Sequence, residues 1–228
     1  MTKTNSCCAI LVAAGSSTRM ALPTSKQFIP LLGVPTIVYT LMAFEHAHSI
    51  QDIVVVCRRQ DMEQIWDCVK QYQMTKVYAV VPGGQTRQQS VAAGVAAAPT
   101  LAAYFAIHDG ARPLIQPQAI DAVVQDAFLY QASALGTPVK DTIKVIDENG
   151  FIVSTPNRTA LWAVQTPQVF ERTLYCSAME QAAQEDYTDD CQLVEHIGVK
   201  VHLCLGEYTN LKLTTPEDIA FAEAILKK

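Results

Sequence analysis

Short apolar runs of β-prone residues alternate along this chain with longer segments of helical spacing, and few folds accommodate that alternation. The runs are AILVAA (9–14), DIVVVC (52–57), VYAVV (77–81), AYFAIH (103–108) and ASALGTPV (132–139). Between them, PTIVYTLMAFEHA (35–47), TRQQSVAAGVAAA (86–98) and PQAIDAVVQDAFLY (117–130) space their apolar residues for helices packed on a sheet. Strands separated by helices predict a Rossmann-like α/β fold, a mostly parallel sheet flanked by helices with right-handed crossovers. Ligands of such a sheet bind at the carboxyl ends of its strands. A chain of 228 residues, 50% of them hydrophobic and 17% charged, can bury one large core. No repeat, low-complexity tract or linker interrupts it, so a single domain over residues 1–228 is expected.

One stretch breaks the alternation. In KDTIKVIDENGFIVSTP (140–156) two short strand-like runs flank DENG, whose Asn-Gly step favours a hairpin turn. An isolated two-stranded ribbon is marginal in water, so an arm spanning about residues 137–160 should pack on a partner subunit, making the protein a homodimer. Beyond it, helical stretches near 171–184 and 188–197 and a strand at 199–205 precede a last helix. There Thr215 reads as N-cap and Pro216 as the first helical residue.

Composition excludes several function classes. A net charge of −5 offers no basic footprint for nucleic acid. No apolar run approaches the roughly 20 residues of a membrane span, and MTKTNSCCAI lacks the apolar region of a signal peptide, so a cytoplasmic protein without membrane contact is expected. The 7 cysteines include no C-x-x-C pair and several lie in apolar runs, which predicts reduced, mostly buried thiols.

The first run breaks into AAGSSTRM, a small-residue turn whose backbone N–H groups can cradle phosphate oxygens. It lacks the G-K-[ST] of a P-loop and the further glycines of a dinucleotide fingerprint. Arg19 and then Lys26 follow Gly15, and two cations beside such a nest suit a polyphosphate; two solvated cations after a glycine turn is the plainer alternative. In AIHDGARP (106–113) a buried strand ends on His108-Asp109-Gly110-Ala111-Arg112-Pro113, placing Asp109 and Arg112 at a carboxyl edge. Asp109 can hold Mg²⁺, which takes one or two carboxylates plus substrate phosphates, and Arg112 can grip another phosphate. A strand-end histidine is more often packed and hydrogen-bonded than chemical, and His108 is read that way.

In their order and spacing from about residue 8 onward, LVAAGSSTRM, SKQF, VPGGQTRQQSV, HDGARPLI, PVKDTIK, NRTALWAVQTPQVF, TDD and NLKLTTPEDI resemble the 2-C-methyl-D-erythritol 4-phosphate cytidylyltransferase family. The resemblance implies that a phosphate monoester attacks the α-phosphorus of CTP, expelling pyrophosphate and yielding a CDP-alditol, in the non-mevalonate isoprenoid pathway. No base is needed, because the attacking oxygen is already ionised, so catalysis rests on positioning two anions and neutralising charge.

Residue by residue, the resemblance puts Ala13, Ala14 and Gly15 against the nucleotide, with Arg19 and Lys26 on its triphosphate. Lys212 would contact the α-phosphate and the substrate phosphate. Gly83, Gly84, Gln85 and Ser90 match the region that reads cytosine, where a hydroxyl and backbone groups can tell an exocyclic amine from a carbonyl. Asp109 would lie beside the metal or the substrate hydroxyls, with Arg112 and Thr166 on the substrate side. Thr142 and Arg158, on or beside the arm, match residues that bind the substrate phosphate from the neighbouring subunit.

Three departures from the family pattern stand out: Ser17 where a second glycine is common, Ser25 in place of the proline that often precedes the Lys-Gln pair, and Gln85 where some members carry an acid. Competing readings are a ribitol-5-phosphate cytidylyltransferase, a nicotinamide dehydrogenase, and a nucleotide-binding protein without turnover. AAG rather than AGG in the loop and ARP after HDG favour the erythritol enzymes over the first. The missing fingerprint glycines count against the second, and the charged residues Arg19, Lys26, Asp109 and Lys212 against the third.

Overall fold

A computed structural model describes residues 5–15, 25–181 and 187–227. In chain order the elements are β1 (Cys7–Ala13), β2 (Pro30–Leu31), β3 (Val34–Pro35), α1 (Thr36–His46), β4 (Ile50–Cys57), α2 (Met62–Gln71), β5 (Val77–Pro82), α3 (Arg87–Ala97), β6 (Tyr104–Asp109) and α4 (Pro117–Tyr130). They continue with β7 (Ala132–Pro138), β8 (Val145–Ile146), β9 (Ile152–Ser154), β10 (Trp162–Glu171), α5 (Arg172–Gln181), α6 (Asp190–His196), β11 (His202–Leu205) and α7 (Pro216–Leu226). Among the described residues the large sheet has seven strands in the order β11-β7-β10-β6-β1-β4-β5. All pairs are parallel except those of β10, which runs antiparallel to both β6 and β7.

Both faces of the sheet are buried, which is why its strands read as continuous apolar runs. On β1 the side chains alternate: Ala9, Leu11 and Ala13 enter one core, Cys8 and Ile10 the other. The first core is closed by Phe44 of α1, Ile65 of α2 and Val123 of α4, and the second by Val91 of α3, Tyr175 of α5 and Val194 of α6. A smaller cluster of Leu31, Leu114, Leu213 and Ala222 seats α7 over the loops beyond the carboxyl edge. The expected start of α7 is realised: Thr215 is its N-cap, Pro216 its first residue, and the Asp218 carboxylate accepts from the Thr215 N–H at 2.8 Å.

Two features differ from the sequence reading. Residues 162–171, taken there only as part of a motif, form the ten-residue strand β10 in the middle of the sheet. Pro167 argues against a central strand because it cannot donate to a ladder. Here the ladder to β7 is interrupted between Val164 and Gln168, around the cis Thr166–Pro167 bond, and resumes beyond it. The helix expected at 171–184 is described as Arg172–Gln181; residues 182–184 lie outside the described set.

The arm is a ribbon of β8 and β9, pairing Val145 with Ser154 and Ile146 with Ile152. Its turn is tied by Asp147, whose Oδ1 accepts from the N–H groups of Asn149 and Phe151, while Gly150 takes the φ of 85° that favours glycine. Ile146, Phe151, Ile152 and Val153 are all exposed on it. The thiols are free, as expected; Cys7, Cys8, Cys57, Cys68 and Cys191 are buried, and burial pushes the Cys8 and Cys57 thiols up to about 12, which leaves them inert.

Helix α3 approaches the sheet so closely that a Cβ on Gly94 would stand 2.4 Å from Ile10 Cγ2 and 2.8 Å from Val56 Cγ2. Gly94→Val should therefore destabilise the fold by about 1–3 kcal/mol through overpacking, read as a lower midpoint in urea with an unchanged slope.

Candidate active site

The carboxyl ends of β1, β5 and β6 open onto a cavity of about 460 Å³. Ala13, Ala14, Gly15, Gly84, Gln85, Ser90, Asp109 and Lys212 line it together, as their spacing along a parallel sheet requires. Gly83 lies behind this wall: its N–H donates to Cys57 O at 2.8 Å, and a Cβ there would meet Ala14 Cβ at 2.5 Å and Ser90 Oγ at 2.8 Å. The Ser90 hydroxyl donates to Thr86 O at 2.9 Å and accepts from the Gly84 N–H at 3.2 Å. With its proton committed, that oxygen can serve a ligand only as an acceptor. Arg19 and Ser17 lie outside the described residues. Lys26 begins a short 3₁₀ turn, Lys26–Phe28, and its side chain also lies outside them. Ser25 before it is buried, its hydroxyl donating to Gln27 Oε1 at 2.5 Å.

Asp109, the last residue of β6, is the centre of the site. Lys212 Nζ stands 2.8 Å from its Oδ2, Arg112 Nε 3.8 Å from the same oxygen, and Arg87 Nε 3.6 Å from Oδ1. Burial alone would raise this carboxyl. The Lys212 ammonium, then Arg87 and Arg112, outweigh that and hold it well below the usual carboxylate range, so it is ionised throughout the physiological pH range. Its neighbour His108 is fully buried and packs against Phe44. The Thr166 hydroxyl accepts from the Asp109 N–H at 3.1 Å and lies 3.0 Å from His108 Nδ1. Burial pushes the imidazole pKa down to about 3, which keeps it neutral, and Nε2 stands 3.4 Å from Arg112 O, a carbonyl that can only accept and so favours the proton on that nitrogen.

Lys212 is placed by its neighbours rather than by its own stem. On one side the buried Asn210 donates through Nδ2 to Thr166 O at 2.9 Å and Gln165 Oε1 at 3.2 Å, while its backbone carbonyl accepts from Arg112 Nη1 at 2.7 Å. On the other, the Leu213 N–H donates to Ala111 O at 2.8 Å. The loop before α7 is thereby stitched to β10 and to the turn after β6, and the lysine between the two pins points at Asp109.

A second, smaller cavity of about 180 Å³ adjoins the first. Arg112 and Thr166, both singled out from sequence, line it with Gln165, Gln168, Thr188 and Asp189. Thr142 and Arg158 line neither cavity; both are exposed at the base of the arm, where Arg158 Nη1 donates to Lys140 O at 2.6 Å. Sequence reasoning missed Arg87, the first residue of α3, which lines both cavities and pairs with Asp190 Oδ2 at 2.7 Å. Asp190 is held in turn by the Tyr175 hydroxyl at 2.6 Å. The available signal was an arginine opening a helix directly after a strand's carboxyl end.

A family model described as 2-C-methyl-D-erythritol 4-phosphate cytidylyltransferase (IspD) matches residues 7–228. The chain belongs to that family. Relatives named 2-C-methyl-D-erythritol 4-phosphate cytidylyltransferase from Caldanaerobacter subterraneus and Clostridium novyi are each 44% identical, with 96% of this chain aligned to 98% and 96% of theirs. The crystal structure of a 4-diphosphocytidyl-2C-methyl-D-erythritol synthase from Anaerococcus prevotii superposes with a TM-score of 0.86 at 31% identity, covering 97% of this chain and 98% of that one. The fold expected from sequence is the fold of this family.

No group of three or more His, Cys, Asp or Glu stands ready for a metal ion among the described residues. With three cations around it, Asp109 fits Mg²⁺ as one carboxylate ligand to an ion brought in on a polyphosphate, whose negative charge offsets those cations. It does not make a metal site by itself.

Asn210→Ala should test the two-pin arrangement. It strands the buried Thr166 carbonyl, so unfolding free energy should fall by about 1–3 kcal/mol. Activity should fall further than the folded fraction, because Lys212 loses its placement.

Proposed function

We propose that this chain transfers CMP from CTP to 2-C-methyl-D-erythritol 4-phosphate, giving 4-diphosphocytidyl-2-C-methyl-D-erythritol and pyrophosphate in the non-mevalonate route to isoprenoid precursors. The observation that carries this reading is the convergence of Asp109 and Lys212, at 2.8 Å, where the two cavities meet, in a chain of this family. The larger cavity takes CTP and the smaller the phosphorylated alditol.

The chemistry follows from charge. An oxygen of the monoester forms a bond to the α-phosphorus of CTP, the bond from that phosphorus to the β-phosphate oxygen breaks, and its electron pair leaves on pyrophosphate. Ala13, Ala14 and Gly15 approach the nucleotide with backbone, and Gly84, Gln85 and Ser90 frame the base, with Gly83 packed behind them against Ala14 and Ser90. Ser90 Oγ, limited to accepting, suits the exocyclic amine of cytosine and not the carbonyl of uracil. Arg19 and Lys26 hold the triphosphate. Lys212 exchanges Asp109 for the α-phosphate and the incoming phosphate, where cations stabilise charge that grows in the transition state. Arg112 and Thr166 orient the alditol. Mg²⁺, held by Asp109 and the phosphates, supplies further charge neutralisation when bound.

The working unit is a homodimer. An arm that exposes Ile146, Phe151, Ile152 and Val153 in water calls for a covering surface, and a second copy provides one while delivering Thr142 and Arg158 to its site. No helix among the described residues is long and apolar enough to cross a membrane, consistent with a cytoplasmic enzyme acting on dissolved substrates.

Pyrophosphate release from CTP and Mg²⁺ should be far faster with 2-C-methyl-D-erythritol 4-phosphate than with ribitol 5-phosphate. The opposite preference would transfer the protein to the ribitol enzymes, which the named relatives do not favour. Arg19→Ala and Lys26→Ala should each lower kcat by on the order of 10²-fold with the fold intact. Lys212→Ala and Arg158→Ala, each nearly inactive alone, should regain activity when mixed, because one site of the mixed dimer then has an intact lysine and an intact arm. Failure to complement would return Arg158 to its own protomer's surface.

A further inference from the structure

Three side chains line both cavities: Arg87, Asp109 and Lys212. The reading above uses the last two and leaves Arg87 without a role. Its guanidinium is held, not free: Nη2 pairs with Asp190 Oδ2 at 2.7 Å, and the almost fully buried Asp190 accepts from the Tyr175 hydroxyl at 2.6 Å. Nε stands 3.6 Å from Asp109, beyond hydrogen-bond distance. Nη1 has no acceptor among the described residues. Donors therefore remain for something that enters the cavities.

We propose that Arg87 is a further catalytic cation of the cytidylyl transfer, donating to the phosphates of both substrates where the two cavities meet, with Asp190 and Tyr175 as the residues that position it. The inference rests on the assignment of CTP and the alditol phosphate to the two cavities. A guanidinium that served only to join α3 to α6 could sit wholly between those helices. This one keeps 31% of its side chain exposed, at the wall of both cavities. It also opens α3, whose first turn contributes Thr86, Arg87 and Ser90 to the larger cavity, so the positive end of the helix dipole reinforces it.

Asp190 has a specific consequence. By taking the close contact with Arg87, it keeps the guanidinium from closing fully on Asp109 and leaves the 2.8 Å contact there to Lys212. Two cations thus stand ready, each parked on its own carboxylate. During transfer, Arg87 stays protonated and its N–H groups follow the non-bridging oxygens of the α-phosphate and of the attacking phosphate. No proton moves to or from it, and the only bonds changed are the phosphorus–oxygen bond made and the one lost to pyrophosphate.

The test is steady-state pyrophosphate release with CTP, Mg²⁺ and 2-C-methyl-D-erythritol 4-phosphate, with melting temperatures measured alongside. Arg87→Ala should lower kcat by on the order of 10²-fold at saturating concentrations of both substrates, and added guanidinium ion should restore part of the loss. Arg87→Lys should fall between, since one ammonium cannot hold Asp190 and donate to two phosphates. Asp190→Asn should lower kcat less than Arg87→Ala does. If Arg87→Ala fails to fold because Asp190 is left buried and unpaired, the double variant Arg87→Met with Asp190→Asn removes both charges, and its kcat decides. A kcat within about threefold of the parent in a folded variant lacking the guanidinium, or a lowered melting temperature as the sole effect, would overturn the proposal. Absence of turnover in the parent protein would instead overturn the assigned reaction and leave Arg87 out of it.

Discussion

The pairing of Asp109 with Lys212 organises this structure. A carboxylate at the carboxyl end of a central strand is costly to bury, and it is tolerated because a lysine from the far end of the chain meets it at 2.8 Å with two arginines behind. That single requirement ties the turn after β6, the first turn of α3 and the loop before α7 into one charged wall. In the function proposed above, the same wall has to attract two anions, one a nucleotide and the other a phosphate ester. The cations cannot lie idle in water, nor can they be so firmly paired that phosphate cannot claim them. Leaving Lys212 partly exposed and spreading Arg112 and Arg87 at 3.6–3.8 Å meets both conditions.

Precision in such a wall comes from neutral hydrogen bonds, not from the ion pairs themselves. Asn210 grips Thr166 and Gln165, Leu213 grips Ala111, and Thr166 in turn accepts from the Asp109 backbone while meeting His108 Nδ1. Each of these groups is buried, where an unmade bond is expensive, so their geometry is enforced more strictly than that of long charged side chains. The charged atoms then need only short reaches from backbone that is already fixed.

Local signals made much of this legible in the sequence. Helix α4 runs from Pro117 to Tyr130 and is closed by Gln131, which adopts a left-handed φ of 67°, so its expected limits are its actual ones. The Asn149-Gly150 turn of the arm was equally plain. Strand β10 was not, because Pro167 is a local argument against a strand, and only tertiary pairing with β6 and β7 overrides it. Among site residues, those in strand-end motifs such as Asp109 were readable. Arg87 was not, since its meaning comes from Asp190, about a hundred residues away. Asn210 was missed for the same reason: a buried amide stitching two loops has no pattern of its own along the chain.

The antiparallel insertion of β10 also explains where the arm emerges. Since β10 opposes both neighbours, β7 runs parallel to β6 and ends at Pro138 on the same carboxyl edge as Asp109. A further parallel strand would need a crossover back to the other edge before re-entering the sheet, whereas an antiparallel one re-enters where the chain left it. The chain exits at Pro138 and returns at Trp162, which pairs with it, so the ribbon between them starts and ends beside the charged wall. Reversing one strand therefore frees a segment of about twenty residues from spanning the sheet and puts it at the mouth of the site. In the proposed homodimer it would reach a second copy from there, and a two-fold axis would make the reach mutual.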